Sequence, residues 1–291
     1  MTGISPQDEP GAVPTTVGVL GGGRMGAGIA HAFLISGAEV TVIERDAAAA
    51  AAARERVTGT LARAIEKAAV TEDLDTLLGR LAVSTDIGDV AGARLVVEAV
   101  PEDFALKQEA LRNAERTLGA DAWIATNTSS LSVTRLAASL DRPERLCGLH
   151  FFNPVPPSAL VEIVLGPQSA PELADIAIGW VRGLGKTPIV VSDAPGFASS
   201  RLGVALALEA MRMLEEGVAS AHDIDTAMEL GYRHAAGPLR TTDIVGLDVR
   251  LGIAEYLHET LGERFAPPRI LRDKVARGEL GRKSGTGFYD Y

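Results

Sequence analysis

The sequence has almost no cysteine and no long apolar run, and each of these shortages excludes a class of protein. Its 291 residues contain one cysteine, Cys147, which excludes an internal disulfide and fits a reducing cytoplasm. Because Cys147 lies in an apolar run, we expect a small buried hydrophobe rather than a nucleophile. No apolar stretch approaches the length of a membrane span. The opening "MTGISPQDEPGAVPTT" also lacks the basic and apolar regions of a secretory signal.

Positive charge is also scarce. The 28 Lys and Arg residues against 38 Asp and Glu residues give a net charge of -10, which argues against broad nucleic-acid binding. An anionic small molecule stays possible, because it needs only a local basic patch. The composition, 46% apolar and 23% charged, is typical of a globular protein with a real core. We predict no metal site.

Two different patterns divide the chain near "DAPGF". Before it, short β-branched runs alternate with helical patterns, which predicts a doubly wound α/β sheet. The predicted strands are 17–20, 40–43, 81–84, 95–100, 123–127, 146–152, 159–164 and 187–192, and the predicted helices 24–36, 46–69, 103–118 and 170–184. After it, the pattern predicts only helices, at 197–217, 222–230, 241–261 and 267–277. We therefore expect a loose tail over 1–15, an α/β domain over 16–194 and an all-α domain over 195–291.

A glycine loop follows the first predicted strand. "VGVLGGGRMGAGIA" places Gly21, Gly23 and Gly26 in G-x-G-x-x-G register at the start of a helix, with Arg24 and Met25 between the last two. Glycine permits the tight turn, the approach of a pyrophosphate and close helix–strand packing, in that order. The pyrophosphate would lie on the helix N-terminus. The strand–loop–helix context makes this match specific for a dinucleotide site.

An acidic residue at the end of the second predicted strand completes this motif. Glu44 lies 23 residues after Gly21, near the usual spacing for the acid that binds the adenosine ribose. A carboxylate there favours NAD over NADP, although Arg45 beside it leaves NADP open. The alternative is a glycine-rich turn between packed elements. We predict a Rossmann-type NAD-binding domain.

Two ionisable residues stand in apolar runs of "GLHFFNPVPPSALVEIV". A lone histidine such as His150 is usually a satisfied core residue, whereas a buried carboxylate such as Glu162 needs a partner. If the two strands meet, Glu162 accepts from one imidazole nitrogen and raises the basicity of His150. Spacing alone leaves this pairing about even with chance.

Two pairs of serines have both a structural and a functional interpretation. Ser129 and Ser130 follow a strand at the sheet edge where ligands bind, or they cap a helix. Ser199 and Ser200 follow Pro-Gly. They either start a helix or take part in the active site.

Nine motifs occur together in a fixed order from about residue 16 to 291. They are "GGGRMGAGIA", "VVEAVPED", "NTSSLSV", "GLHFFNPVP", "LVEIV", "DAPGF", "DIDTAMELG", "GPLRTTDIVGLD" and "GRKSGTGFYDY". This set resembles the NAD-dependent L-3-hydroxyacyl-CoA dehydrogenase family, including the single-chain 3-hydroxybutyryl-CoA dehydrogenases. The resemblance implies reversible oxidation of an L-3-hydroxyacyl-CoA to the 3-ketoacyl-CoA, and a homodimer formed by the helical domain.

The resemblance also implies roles for individual residues. His150 matches the family's catalytic base, Glu162 its partner, and Ser129 a serine that contacts substrate and cofactor. Positions that match cofactor contacts are Glu102, Lys107, Asn153 and Lys283. Thr60 and Lys67 match polar contacts of the helical hairpin that holds CoA.

A basic stripe supports a CoA-type substrate. Arg56, Thr60, Arg63 and Lys67 have the spacing of one helix face, which could hold CoA phosphates. A solvated surface near Glu55 is an equally good interpretation.

The chain departs from the family at two places. Ser200 stands where the family usually has an asparagine that holds the reacting oxygen, and Ala235 to Pro238 read "AAGP" in place of "PMGP". Both changes put acyl specificity in doubt and leave the cofactor site intact. Three hypotheses remain: a short-chain 3-hydroxyacyl-CoA dehydrogenase, the same chemistry on an acyl-carrier protein or a sugar acid, and a cofactor-binding protein with little activity.

Overall fold

The computed structural model describes residues 12–291, which form two compact units, one ending at Asp193 and one beginning at Ala194. All strands of one eight-stranded sheet belong to the first unit. In chain order they are β1 (Thr16–Leu20), β2 (Glu39–Ile43), β3 (Leu81–Ser84), β4 (Leu95–Glu98), β5 (Trp123–Thr126), β6 (Leu146–Phe151), β7 (Leu160–Leu165) and β8 (Thr187–Ser192). Each lies within two residues of its predicted bounds.

The order of the strands is β3-β2-β1-β4-β5-β6-β7-β8. Strands β1 to β6 are parallel, in the order of a doubly wound dinucleotide-binding sheet. The chain leaves β1 on one side for β2 and returns on the other side as β4, so the sheet has its switch point between β1 and β4. Strand β7 then runs antiparallel to β6, and β8 runs parallel to β7. The predicted α/β class is confirmed, with an antiparallel pair that the sequence pattern did not indicate.

Helices cover the sheet, and β4 and β6 are buried along their whole length. The helices of this unit are α1 (Arg24–Ile35), α2 (Ala47–Glu66), α3 (Leu74–Gly79), α4 (Phe104–Thr117), α5 (Val133–Ala137) and α6 (Leu173–Gly183). The short helices α3 and α5 were not predicted. Cys147 lies in the core, and burial raises the pKa of its thiol to about 12, as expected of a structural cysteine.

The predicted loose tail needs a correction at its end. Residues 1–11 lie outside the described residues. Val13, however, packs against the core of the first unit, and the carbonyl of Thr15 accepts a hydrogen bond from the amide of Glu39. The chain is therefore part of the fold before residue 16.

The second unit is helical and has its own core, which includes Val204, Leu208 and Leu257. Its helices are α7 (Ser199–Glu215), α8 (Ala221–Thr226), α9 (Pro238–Val245), α10 (Leu247–Leu261) and α11 (Arg269–Ala276). None of the helices within residues 12–291 combines the length and the apolar character that a membrane crossing requires.

Two predicted helices of this unit were wrong in extent. The helix predicted at 241–261 is two helices, because Gly246 has φ +107 and cannot continue α9. The helix predicted at 222–230 leaves regular geometry after Thr226, where a wider π-type turn covers Ala227–Gly231.

Candidate active site

The glycine loop joins β1 to α1 in the form that a pyrophosphate site requires. Gly21 has φ +90, and its amide donates to the carbonyl of Ile43 at 2.8 Å. A Cβ on Gly26 would lie 1.7 Å from the carbonyl oxygen of Gly21, so only glycine fits there. A Cβ on Gly23 would meet no atom within 4 Å, and Gly23 caps α1 without a side chain. The start of α1 is thus an open cradle for a phosphate, with Arg24 and Met25 in its first turn.

Glu44 braces this loop from the end of β2. Its Oε1 accepts from the amide of Gly22 at 2.7 Å, which places a carboxylate beside the cradle. Arg45, the residue that left NADP open, has its Nε 3.0 Å from Oδ2 of Asp46. Arg56 Nη1 donates to the carbonyl of Gly22 at 3.2 Å. The sequence analysis placed Arg56 only in the basic stripe. Nothing in the sequence predicts its contact with the glycine loop.

His150 and Glu162 are cross-strand neighbours in the antiparallel pair β6–β7. Nδ1 of His150 lies 2.7 Å from Oε2 of Glu162, and both side chains are buried. The pairing that spacing alone left open is therefore present. The contact fixes the ring orientation and leaves Nε2 as the nitrogen on the far side of the imidazole. The ring of Phe152 packs 4.5 Å from the imidazole, centroid to centroid.

A buried amide holds the end of β6 beside this pair. Oδ1 of Asn127 accepts from the amide of Phe151 at 2.9 Å, next to His150 in the chain. Sequence reasoning did not single out Asn127. The polar residue that directly follows the buried strand β5 is the signal that could have found it.

Glu102 organises the serine loop after β5. Its Oε1 accepts from the hydroxyl of Thr128 at 2.6 Å and from the amides of Ser129 at 2.9 Å and Ser130 at 3.1 Å. Burial alone would raise the pKa of Glu102, but the charge of Lys107 and these hydrogen bonds lower it overall.

The structural interpretation is wrong for Ser129 and Ser130 and holds for Ser199 and Ser200, which begin helix α7. Ser132 caps α5 by accepting from the amide of Arg135, so neither Ser129 nor Ser130 is a helix cap. In the second unit Ala198 is the N-cap of α7, with no side-chain cap, and Ser199 is the first helical residue.

Lys107 lies beneath the serine loop in a buried ion-pair network. Its Nζ is 2.7 Å from Oε1 of Glu98 and 3.3 Å from Oε2 of Glu102, and only 2% of its side chain is exposed. The hydroxyl of Thr126 donates to the other oxygen of Glu98 at 2.6 Å. Burial raises the pKa of Glu98, against the opposing effect of Lys107. The Lys107 ammonium is therefore held by Glu98 and Glu102. The glutamate inside "LVVEAV" was the missed signal for this partner.

The remaining predicted site residues have varied surroundings. The Thr60 hydroxyl donates to the carbonyl of Val57 and lies 3.2 Å from Nδ1 of His31, while Lys67 is exposed just beyond the end of α2. Asn153 is exposed, two residues after the end of β6. In the second unit, Ser200 is half-buried in the first turn of α7, and Lys283 pairs with Asp248, 2.6 Å from its Oδ1.

The fold and the site together define an NAD-binding oxidoreductase of the Rossmann type. The sheet is doubly wound, the glycine cradle has an acid at the end of β2, and the imidazole–carboxylate pair is buried. Comparison with known families agrees. Residues 16–194 match the model of the 3-hydroxyacyl-CoA dehydrogenase NAD binding domain, and residues 196–291 match that of the 3-hydroxyacyl-CoA dehydrogenase C-terminal domain. The chain belongs to the 3-hydroxyacyl-CoA dehydrogenase family, and its cofactor is NAD.

Individual relatives are similar over nearly the whole chain. The 3-hydroxybutyryl-CoA dehydrogenase of Mycobacterium tuberculosis strain H37Rv is 42% identical over 281 residues, which cover 94% of this chain and 98% of the relative. That of Bradyrhizobium diazoefficiens is 39% identical over 282 residues, with 96% of each chain covered. The crystal structure of (S)-3-hydroxybutyryl-CoA dehydrogenase PaaH1 from Ralstonia eutropha has a TM-score of 0.91 at 39% identity, and the match covers 96% of this chain and 99% of that one.

Proposed function

We propose that this enzyme interconverts short-chain L-3-hydroxyacyl-CoA and 3-ketoacyl-CoA, with His150 as the base. The contact of 2.7 Å between His150 and Glu162 is the observation that carries the proposal. Relatives named 3-hydroxybutyryl-CoA dehydrogenase support the short acyl chain.

In the proposed mechanism, His150 takes the proton of the 3-hydroxyl while the carbon that bears this hydroxyl is oxidised. Glu162 holds the imidazole in one orientation and stabilises the imidazolium that forms, which the buried position of both groups makes more effective. NAD bound in the glycine cradle would supply the acceptor for the hydride that leaves this carbon. In the reverse direction His150 returns the proton to the carbonyl oxygen.

Other residues position the reactants in this proposal. The loop of Gly21, Gly23 and Gly26 holds the pyrophosphate, and Glu44 holds the adenosine ribose. Ser129 contacts the substrate and the cofactor from the loop that Glu102 braces.

The remaining proposed contacts lie further from the reacting carbon. Ser200 positions substrate from α7, and Thr60 and Lys67 contact CoA. Asn153 and Lys283 contact the cofactor, and Lys107 acts indirectly. We further propose a cytoplasmic homodimer joined through the helical unit.

The direct test is NADH formation from purified protein with 3-hydroxybutyryl-CoA, a 3-hydroxyacyl-carrier protein and a sugar acid. We expect turnover of the CoA ester, with a clear preference for NAD over NADP, and a loss of at least about 100-fold in kcat for His150→Ala. Tight NAD binding without turnover of any of the three substrates would contradict the proposal. Full activity of His150→Ala would contradict the assigned base.

A further inference from the structure

One of the two departures from the family, the "AAGP" segment, lines a cavity of the helical unit. The cavity has a volume of about 270 Å³. Its lining includes Leu202 and Leu206 of α7, Ala236 of the "AAGP" segment, and Arg250 of α10. Ser200 lies within one turn of Leu202 on α7. Except for His234, Thr241 and Arg250, the lining is apolar or glycine.

Arg250 is a buried cation for which the described residues supply no counter-charge. The residue is 6% exposed, and its Nε has no hydrogen-bond partner among the described residues. No carboxylate within residues 12–291 forms an ion pair with its guanidinium, and burial lowers its pKa to about 10. A buried arginine without an anion is costly, so this side chain indicates a ligand that supplies one.

The fold places the guanidinium at the cavity wall. Arg250 follows the first turn of α10, and its Nη1 lies 3.5 Å from the position that a Cβ on Gly203 would occupy. Gly203 also lines the cavity, so the bare face of α7 makes room for the guanidinium there. A larger side chain at position 203 would displace it.

We infer that this cavity binds the distal carboxylate of an acyl chain, so that the substrates include 3-hydroxyacyl-CoA esters of dicarboxylic acids. One guanidinium offers the planar fork that a carboxylate matches, and the apolar walls suit the methylene groups that precede it. A phosphate group would call for more donors than this lining supplies. None of the cavity residues that the structure describes is acidic.

The inference rests on the proposed function at Ser200, where the reacting end of the substrate is placed. Gly203 and Leu206 follow Ser200 by three and six residues on α7. These offsets correspond to about 4.5 Å and about 9 Å along the helix axis. An acyl chain that runs along α7 from Ser200 therefore meets the cavity within a few carbon–carbon bonds.

The test compares two CoA esters of equal length in the intact enzyme: the 3-hydroxyacyl-CoA of a six-carbon dicarboxylic acid and 3-hydroxyhexanoyl-CoA. We expect wild type to prefer the carboxylate-ended ester. Arg250→Gln should lower the ratio of the two kcat/KM values by about 10- to 100-fold, and Arg250→Lys should lower it less. Arg269→Gln is the matched control, since Arg269 is exposed and, within residues 12–291, forms its ion pair with Asp273 on its own helix. It should keep the wild-type ratio.

A binding measurement makes the inference independent of turnover. Hexanoate should raise the Tm of wild type and of Arg269→Gln, but not that of Arg250→Gln, and hexan-1-ol should raise the Tm of none of them. Turnover of 3-hydroxybutyryl-CoA without any preference for the carboxylate would overturn this inference and leave the proposed function standing. If no ester were turned over and hexanoate still bound through Arg250, the proposed function would be contradicted and the carboxylate site would stand.

One further outcome would assign Arg250 to a different role. If Arg250→Gln weakened self-association and left both the substrate ratio and the hexanoate shift unchanged, the counter-charge would come from a second copy of the chain. That result would overturn the inference.

Discussion

Glu162 is a buried carboxylate that accepts a hydrogen bond from Nδ1 of His150. This contact leaves Nε2 as the nitrogen through which His150 can exchange a proton with the substrate. A neutral amide of the same shape can still accept from Nδ1, but it cannot stabilise an imidazolium. We expect Glu162→Gln to lower kcat by about 100-fold and to leave NADH affinity, measured by fluorescence titration, unchanged.

Glu115→Gln is the control for this prediction. Glu115 is also a buried glutamate of the same unit, but it accepts from the backbone amides of Asp141 and Arg142. It should cost stability and leave kcat near the wild-type value. A kcat for Glu162→Gln within twofold of wild type would remove the electrostatic role of this carboxylate.

At the scale of single residues, the type of a side chain was enough to predict the candidate site residues. Which of them touch each other depends on how the strands pair, and the sequence does not show that. The unusual glutamate in "LVEIV" was visible, but only the antiparallel pairing of β6 with β7 places it opposite His150. Glu98 stands in a similar run and could not be connected with Lys107, because that contact depends on how α4 packs on β4. The glycine loop was predictable because its constraints are local: the positive φ of Gly21 and the close approach at Gly26 lie within six residues.

The packing of α1 on α2 contains a titratable group that makes stability depend on pH. His31 is buried between these helices, and burial, with the nearby charge of Lys186, lowers its pKa from 6.5 to about 4. Above pH 6.5 the ring is neutral in both the folded and the unfolded chain. Between pH 6.5 and pH 4 the unfolded chain binds a proton that the folded chain does not, so stability falls as the pH falls.

We expect this difference to cost up to about 3 kcal/mol by pH 4. Urea unfolding of wild type and of His31→Gln from pH 7.5 to pH 4 measures it, and the variant should show a flatter dependence. His258→Gln, which changes a more exposed histidine paired with Glu263, should follow wild type. Parallel curves for wild type and His31→Gln would exclude His31 as the source.

The start of a helix was predictable where a capping side chain marks it. The prediction was wrong where one backbone angle ends a helix. Asp46 and Asp103 cap α2 and α4 within one residue of the predicted starts. The break between α9 and α10 depends on the φ of +107 at Gly246, where a Cβ would lie 2.9 Å from Oδ1 of Asp248. An isolated glycine in a helical pattern does not predict a positive φ, because glycine also occurs within regular helices such as α7.

At the scale of the whole molecule, exposed apolar side chains concentrate in the helical unit. Among the described residues, eight of the eleven exposed large hydrophobic side chains lie after residue 193, in about a third of the chain. Ile244 of α9 is 52% exposed and Val249 of α10 is 45% exposed, on either side of the break at Gly246. Such surface on one unit favours self-association there rather than through the sheet.

We therefore expect sedimentation equilibrium to give twice the chain mass of 30.4 kDa. The double variant Ile244→Glu with Val249→Glu should weaken the dimer by at least about tenfold in Kd, because two charges would enter an apolar contact. Leu106→Glu is the matched control, since Leu106 is 40% exposed but lies on α4 of the NAD-binding unit. A monomeric wild type would reject the homodimer. A dimer broken by Leu106→Glu and kept by the double variant would move the contact to the sheet-containing unit, where the resemblance to the family gives no reason to expect it.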